Sequence, residues 1–156
     1  MSDSKQLPRG ALASYGKGAP WLFAQRTRWL FMMYNRAMTK LAINGFGRIG
    51  RGFMRAVQGR EGLDVVVVND LAPVENLAYL LKYDSVYGRA KFDVAAEAGA
   101  LIVAGKRIPV VAEKDPTKLP WRDMQVDIVI EATGFLTDAE KAQAHITAGA
   151  KKVVIP

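Results

Sequence analysis

The sequence predicts an α/β fold built on a doubly wound, mostly parallel β-sheet. Three apolar runs carry this prediction, namely KLAIN at residues 40–44, LDVVVVND at 63–70 and VDIVIEATG at 126–134. Continuous β-branched runs are typical of strands that are buried on both faces of a parallel sheet. The first two runs enclose a glycine turn and a helix within about 30 residues, the length of a βαβ unit with a right-handed crossover.

Two helices are predicted from the spacing of apolar residues. Ile49, Phe53 and Val57 recur at intervals of four, with Met54 beside them, and predict one buried face of a helix that directly follows the glycine turn. Residues 75–83 (ENLAYLLKY) predict a second, more apolar helix after the second strand.

The remaining segments complete the sheet. Residues 91–112 predict two or three short antiparallel strands, inserted before the parallel strands resume. Thr137 with Glu140 fits a capping box at the start of a third helix, and Gly149 marks its end. A further strand begins at 152–155, so we expect a domain that is incomplete at its C-terminus.

Composition separates a leader, residues 1–37, from a domain at 38–156. The chain of 156 residues has a net charge of +7 and no cysteine, which excludes disulfides, zinc–thiolate sites and a cysteine nucleophile. The leader holds six basic residues against Asp3 alone, so most of the excess charge lies there. The rest is nearly balanced, which gives weak support for a nucleic-acid partner.

The leader allows three interpretations. It is rich in arginine and aromatic residues, as an organellar transit peptide or a membrane-interface segment would be. Its longest apolar run, residues 29–34, is too short to span a bilayer. We favour the third interpretation, in which the leader is disordered or a mis-called start and Met38 opens the domain, because a strand pattern begins immediately after Met38.

A glycine motif, G-x-G-x-x-G, joins the first strand to the first helix. It consists of Gly45, Gly47 and Gly50, and Asp70 follows at the end of the second strand. This arrangement is typical of a Rossmann dinucleotide-binding unit. The first glycine allows a tight turn, the second lets the backbone approach a pyrophosphate, and the third lets helix and strand pack closely. The alternative is a packing turn that binds nothing.

The end of the second strand indicates which dinucleotide is bound. Asp70 is placed to accept hydrogen bonds from the adenosine ribose hydroxyls, and its carboxylate would repel a 2′-phosphate. The motif therefore predicts NAD rather than NADP. Arg48 and Arg51 lie close to Gly50, where they either help to neutralise a phosphate or form a solvated helix start.

Several longer segments resemble one family. NGFGRIGR, VVND, LLKYDSVYGR, EATGFLTDAEKA and GAKKVVI occur in the order and spacing of the N-terminal half of glyceraldehyde-3-phosphate dehydrogenases, and the resemblance covers residues 38–156. It implies a cytoplasmic, homotetrameric, NAD-dependent oxidoreductase of glycolysis. The related erythrose-4-phosphate dehydrogenases are the alternative, although Asp70 after Asn69 is more similar to the glyceraldehyde-phosphate enzymes.

The motif and the resemblance together predict the cofactor-binding residues. The resemblance implies that the backbone of Arg48 and Ile49 meets the pyrophosphate, that Lys114 lies near the adenine, and that Thr133 and Gly134 line the cofactor groove. The full predicted set is Gly45, Gly47, Arg48, Ile49, Gly50, Asp70, Lys114, Thr133 and Gly134.

The resemblance also implies what this chain lacks. The family reaction uses a cysteine thiolate as nucleophile and a histidine as base, and both match positions beyond Pro156. His145, the single histidine, matches a non-catalytic position and is expected at the surface or in helix packing. Pro156 stands where the family has serine or threonine, so a hydroxyl and an N–H donor are lost.

These observations leave two functions open. The first is an NAD-binding domain that is inactive alone, with no catalytic residue and no metal, and whose phosphorylated-aldehyde substrate binds only in a full-length enzyme. The alternative is a non-catalytic module whose basic leader binds an anionic membrane or RNA. We favour the first, because the specific motifs all lie in residues 38–156.

Overall fold

A computed structural model describes residues 38–156 of the chain. The predictions for the leader therefore lie outside the described residues. The elements follow in the order β1 (Thr39–Asn44), α1 (Arg48–Val57), β2 (Leu63–Asn69), α2 (Val74–Lys82), β3 (Tyr83–Asp84), β4 (Gly88–Arg89), β5 (Val94–Glu97), β6 (Ala100–Val103), β7 (Lys106–Val111), a 3-10 turn (Pro116–Lys118), β8 (Ile128–Glu131), α3 (Ala139–Thr147) and β9 (Lys152–Val154).

The main sheet has seven strands in this part of the chain, in the order β5-β6-β7-β2-β1-β8-β9. Strands β7, β2, β1, β8 and β9 are parallel, whereas β5, β6 and β7 pair antiparallel. Strands β3 and β4 form a separate antiparallel pair. This topology confirms the predicted doubly wound sheet with an antiparallel insertion, and β7 joins the two parts.

Both faces of the sheet are covered, as the apolar strand runs predict. Ile43 on β1 belongs to a cluster with Met54 of α1 and Leu81 of α2. The neighbouring Ala42 belongs to a second cluster on the other face, together with the fully buried Trp121. Successive side chains of a strand point to opposite faces, so β1 is buried from both sides.

The buried face of α1 differs from the predicted one. Ile49 is 53% exposed, whereas Gly50, Met54 and Val57 are buried. The prediction that Ile49 belongs to the core face is wrong, because the first turn of α1 lies at the carboxyl edge of the sheet, where Ile49 borders an open cavity. Gly50 takes its place in the i, i+4, i+7 pattern.

The start of α3 also differs from the prediction. Asp138 is the N-cap residue, and its Oδ1 accepts the Lys141 backbone N–H at 2.8 Å. Thr137 therefore lies one residue outside the helix and does not form the predicted capping box. A carboxylate is favoured at this position because it both caps an N–H group and faces the positive end of the helix dipole. The predicted end is confirmed, since Gly149 follows α3 with a positive φ of 112°.

None of the helices found in residues 38–156 is long and apolar enough to cross a membrane.

Candidate functional site

A cleft of about 510 Å³ opens at the carboxyl ends of β1, β2 and β8. Strand β1 lies between β2 and β8 in the sheet. From β1 the chain continues to β2 on one side of it, and a later strand, β8, pairs with β1 on the other side. The strand order therefore reverses at β1, and ligands of open α/β sheets bind at such a switch point. A second cavity of about 340 Å³ shares Gly47, Ala132, Thr133 and Leu136 with the cleft. We call the two together the groove.

Two glycines of the motif are required by the packing of the loop itself. Gly45 has a φ of 88°, and a Cβ added there would lie 2.7 Å from the backbone nitrogen of Thr133. A Cβ on Gly50 would collide with the carbonyl oxygen of Gly45 and lie 3.1 Å from Cγ2 of Ile43. The predicted tight turn and the close helix–strand packing are therefore both present.

Gly47 is required by nothing in the protein. It has a negative φ of −70°, and an added Cβ would meet no protein atom within 4 Å. It lies in the wall of both cavities, where a side chain would project into open space. The missing side chain leaves room for a ligand to approach the backbone, which is the role predicted for the second glycine.

The N-terminus of α1 forms the floor of the groove beside Gly47. Gly47 is the N-cap and provides no side-chain hydrogen bond to the first turn. The leading N–H groups of a helix have no intrahelical acceptor, and the helix dipole makes this end positive. No acidic residue lies in the first turn. This combination fits an anionic pyrophosphate.

Asp70 joins the end of β2 to the glycine loop. Its Oδ2 accepts the Phe46 backbone N–H at 2.7 Å, and its Oδ1 accepts the Ala72 backbone N–H at 2.9 Å. Each oxygen keeps further lone-pair capacity towards the cleft that Asp70 lines. The carboxylate therefore has a structural role that the sequence did not reveal, while its binding of the ribose stays a prediction.

The charged residues near the loop differ in position. The Nη1 group of Arg51 donates to the Phe46 carbonyl at 3.0 Å, so this guanidinium braces the loop from within the protein. Arg48 is exposed and lines the second cavity, whereas Lys114 is exposed and lines the cleft beyond Asp70. The two exposed cations therefore lie towards different ends of the groove.

The loop after β8 forms the opposite wall. The Thr133 hydroxyl accepts the Phe135 backbone N–H at 3.1 Å, and Gly134 between them has a φ of 79°. Phe135 is 82% exposed and lines the cleft, and Pro156 lines the second cavity. All nine predicted residues thus meet at this edge of the sheet, eight of them lining the groove and Gly50 packing beneath the loop.

A buried polar network behind the groove was not predicted. Glu131, the last residue of β8, is 3% exposed. Its Oε2 accepts hydrogen bonds from Asn44 Nδ2 at 2.6 Å and from His145 Nε2 at 2.7 Å, and its Oε1 accepts the Thr133 N–H at 2.9 Å and the Thr133 hydroxyl. Asn69 Nδ2 donates to Asn44 Oδ1 at 2.7 Å, which extends the network to the end of β2.

Burial and hydrogen bonding act on Glu131 in opposite directions. Burial raises the pKa of the carboxyl group, while the hydrogen bonds from His145, Thr133 and Asn44 lower it, and the net shift is downward. A buried carboxylate is tolerated when its oxygens are satisfied in this way. The network therefore keeps a negative charge directly behind the loop of Thr133.

His145 belongs to this network and not to the surface. It is fully buried, and its Nδ1 accepts the indole N–H of Trp121 at 3.0 Å. The surface alternative is therefore wrong, and the helix-packing alternative is correct. The signal that could have revealed the network is Glu131, an acidic residue that directly follows the apolar stretch IVI within VDIVIEATG. A carboxylate in a buried strand requires buried donors.

The fold and the site define a class of protein. A glycine loop, an uncapped helix N-terminus and an acidic residue at the end of the adjacent strand form a Rossmann-type dinucleotide-binding domain. The family described as glyceraldehyde 3-phosphate dehydrogenase, NAD binding domain, matches residues 39–139. The chain belongs to this family, so the predicted cofactor NAD and the predicted family are confirmed.

Individual relatives agree with this assignment. The chain is 54% identical over 118 residues to the glyceraldehyde-3-phosphate dehydrogenases of Clostridium acetobutylicum and Clostridium pasteurianum, a match that covers 76% of the chain and 35% of each relative. It is also 54% identical over 117 residues to glyceraldehyde-3-phosphate dehydrogenase 1 of Streptomyces arenae. The chain thus spans about a third of the length of these relatives.

Proposed function

We propose that this chain binds NAD along the groove without a second domain. The adenosine lies towards Asp70 and Lys114, the pyrophosphate lies over the first turn of α1, and the nicotinamide lies towards Thr133 and Gly134. One observation carries the proposal, namely the uncapped helix N-terminus beside a glycine whose missing side chain serves no purpose within the protein.

The chain's own residues account for binding and orientation. The N–H groups of Arg48 and Ile49 would hold the pyrophosphate oxygens, and Asp70 would hold the adenosine ribose hydroxyls and disfavour a 2′-phosphate. The carboxylate of Asp70 is already oriented by two backbone donors, so little reorganisation is needed. When NAD is bound, its nicotinamide supplies the capacity to accept a hydride.

We further propose that this chain does not turn over a phosphorylated aldehyde when alone. The family reaction needs a thiolate nucleophile and a base, and this sequence contains no cysteine. Its single histidine, His145, is fully buried and hydrogen-bonded at both ring nitrogens, so it is not accessible as a general base. Substrate binding, a homotetramer and a cytoplasmic location are proposals for a full-length protein of this family.

Substitution at Gly47 tests cofactor binding. Gly47→Ala adds a methyl group that meets no protein atom, so the fold is expected to persist while the pyrophosphate is displaced. Gly52→Ala is the matched control, because Gly52 lies in the same helix and an added Cβ there also meets nothing. Isothermal titration calorimetry should show NAD affinity reduced about tenfold or more in the first variant only.

Two outcomes would contradict the proposal. If the unmodified chain does not bind NAD at millimolar concentration, binding by this chain alone is excluded. If the two alanine variants bind equally well, the pyrophosphate does not lie at Gly47. An assay of NADH production from glyceraldehyde 3-phosphate tests the predicted inactivity, and turnover that copurifies with the chain would exclude it.

A further inference from the structure

Glu131 divides its hydrogen bonds between the core and the groove. Its Oε2 faces inward and accepts from Asn44 of β1 and His145 of α3. Its Oε1 faces the loop after β8 and accepts both the N–H and the hydroxyl of Thr133. One buried carboxylate therefore ties a wall of the groove to the middle of the sheet.

The hydrogen bonds to Oε2 of Glu131 come from residues of β1 and α3 that are themselves held by further hydrogen bonds. Trp121 donates its indole N–H to His145 Nδ1 at 3.0 Å, so the ring proton of His145 lies on Nε2 and is donated to Glu131. Asn44 is the last residue of β1, and its amide group is oriented by Asn69. The Oε2 atom of Glu131 consequently accepts from two donors whose own orientation is set by further hydrogen bonds.

The hydrogen bonds to Oε1 of Glu131 hold the loop after β8 in its shape. Thr133 donates its hydroxyl to Glu131 and accepts the Phe135 N–H with the same oxygen. Gly134 lies between them in the left-handed region. These three residues line the groove. The position of this wall therefore depends on Glu131, which is almost fully buried and borders the second cavity but not the cleft beside Asp70.

We propose that Glu131 is a positioning residue of the NAD site, which orders the loop 133–135 against the pyrophosphate and nicotinamide. This inference rests on the proposed binding of NAD in the groove. The adenosine side has further anchors that do not involve Glu131, because Asn69 Nδ2 donates to the Glu113 carbonyl at 2.9 Å and Asn69 Oδ1 accepts the Glu113 N–H at 2.9 Å. Glu131 touches the loop after β8 directly and the adenosine side only through Asn44 and Asn69, so its main effect is expected at one end of the cofactor.

The substitution Glu131→Gln should disrupt the ordering of the loop 133–135 with little change in side-chain volume. A glutamine side chain has one acceptor oxygen, whereas donors from Asn44 and His145 approach one side of Glu131 and two donors from Thr133 approach the other. In either orientation the new NH₂ group faces at least one N–H donor, of Thr133 on one side or of Asn44 and His145 on the other, and cannot accept from it. We expect the dissociation constant of NAD to rise about tenfold, while that of AMP changes by less than about twofold.

Asp127→Asn is the matched control. Asp127 lies just before β8, at the opposite end of the strand from Glu131, where its carboxylate pairs with Lys151 at 2.6 Å and accepts the Lys40 N–H. This variant loses the same charge but should bind NAD and AMP as the unmodified chain does. Calorimetry with NAD and with AMP on the full chain gives both affinities.

The ratio of the two affinities separates positioning from a general loss of packing. A merely structural role of Glu131 would weaken NAD and AMP alike, and that result, or an unchanged NAD affinity, would overturn the proposal. If Glu131→Gln fails to fold, Glu131→Asp decides. Its carboxylate is one methylene shorter and cannot reach the donors on both sides at once, so it should weaken NAD more than AMP. An NAD affinity equal to that of the unmodified chain would overturn the proposal.

Amide hydrogen exchange tests the ordering without any ligand. The N–H groups of Thr133 and Phe135 should exchange faster in Glu131→Gln than in the unmodified chain, while those of β1 remain protected. Failure of the unmodified chain to bind NAD would contradict the proposed function alone, since exchange would still show whether Glu131 orders the loop. Unchanged exchange of both amides would overturn the inference.

Discussion

The Oδ2 atom of Asp70 accepts the backbone N–H of Phe46 at 2.7 Å, so the end of β2 holds the glycine loop that follows β1. The residue predicted to bind the ribose is therefore also a support for the loop that would bind the pyrophosphate. Two ends of one cofactor site are joined by a single hydrogen bond, and a change at Asp70 acts on both.

Asp70→Asn should weaken NAD binding and reduce the preference over NADP. The amide oxygen can accept only one of the two backbone N–H groups, so we expect about tenfold weaker NAD binding. NADP should be affected less, since the repulsion of its 2′-phosphate is relieved. Asp93→Asn, an exposed charge outside the groove, is the control. Calorimetry with both dinucleotides measures the ratio, and an unchanged ratio would contradict the role of the charge.

Gly50→Ala should destabilise the domain strongly. The new Cβ would collide with the Gly45 carbonyl and press on Ile43, neither of which can move without shifting β1. We expect a loss of about 2 kcal/mol or more in the free energy of unfolding. Gly52→Ala, in the same helix, should instead stabilise by up to about 1 kcal/mol, because alanine favours the helix. Urea unfolding of both variants would show opposite signs, and equal signs would exclude this account.

Trp121→Phe should cost stability through both packing and hydrogen bonding. The indole is fully buried, and its N–H is the partner of His145 Nδ1. Phenylalanine leaves a small cavity and an unpaired nitrogen, and we expect a loss of about 2–4 kcal/mol. Chemical denaturation followed by circular dichroism measures the loss. A change below about 0.5 kcal/mol would show that this hydrogen bond contributes little.

Acid should destabilise the domain partly through Glu131. The folded pKa of this carboxyl group lies below its ordinary value of 4.5, so the unfolded chain takes up the proton first as the pH falls. The stabilising contribution is complete above that value and is lost progressively as the pH falls through the folded pKa. Stability curves measured between about pH 6 and pH 3 should fall less steeply in Glu131→Gln than in the unmodified chain, and parallel curves would argue against this assignment.

The sequence was sufficient to predict an element of the fold where a local residue pattern has a single physical explanation. The β-branched run at 63–70 predicts a buried parallel strand, and the glycine motif predicts a turn that Gly45 and Gly50 do form. The boundaries were less certain. Ile49 has the correct spacing for a core residue, but its turn lies beyond the sheet, which only the three-dimensional arrangement shows.

Apart from the acidic Glu131 at the end of a strand run, the buried network could not be predicted from the sequence, because its members are far apart along the chain. Asn44, Trp121, Glu131 and His145 come from four separate segments, and none of them forms a motif alone. Polar residues of this kind are ordinarily expected at the surface. Their burial depends on mutual satisfaction, which requires the register of β1 against β8 and the placement of α3.

The three glycines of the motif are constrained in two different ways, two of them by neighbouring protein atoms and one by the space outside the protein. Gly45 and Gly50 are fixed by the atoms around them, so any descendant of this domain that still folds must retain them. Gly47 meets no protein atom and is constrained only by what approaches it from outside. In a lineage that ceased to bind a dinucleotide, position 47 would therefore be the first of the three that is free to vary.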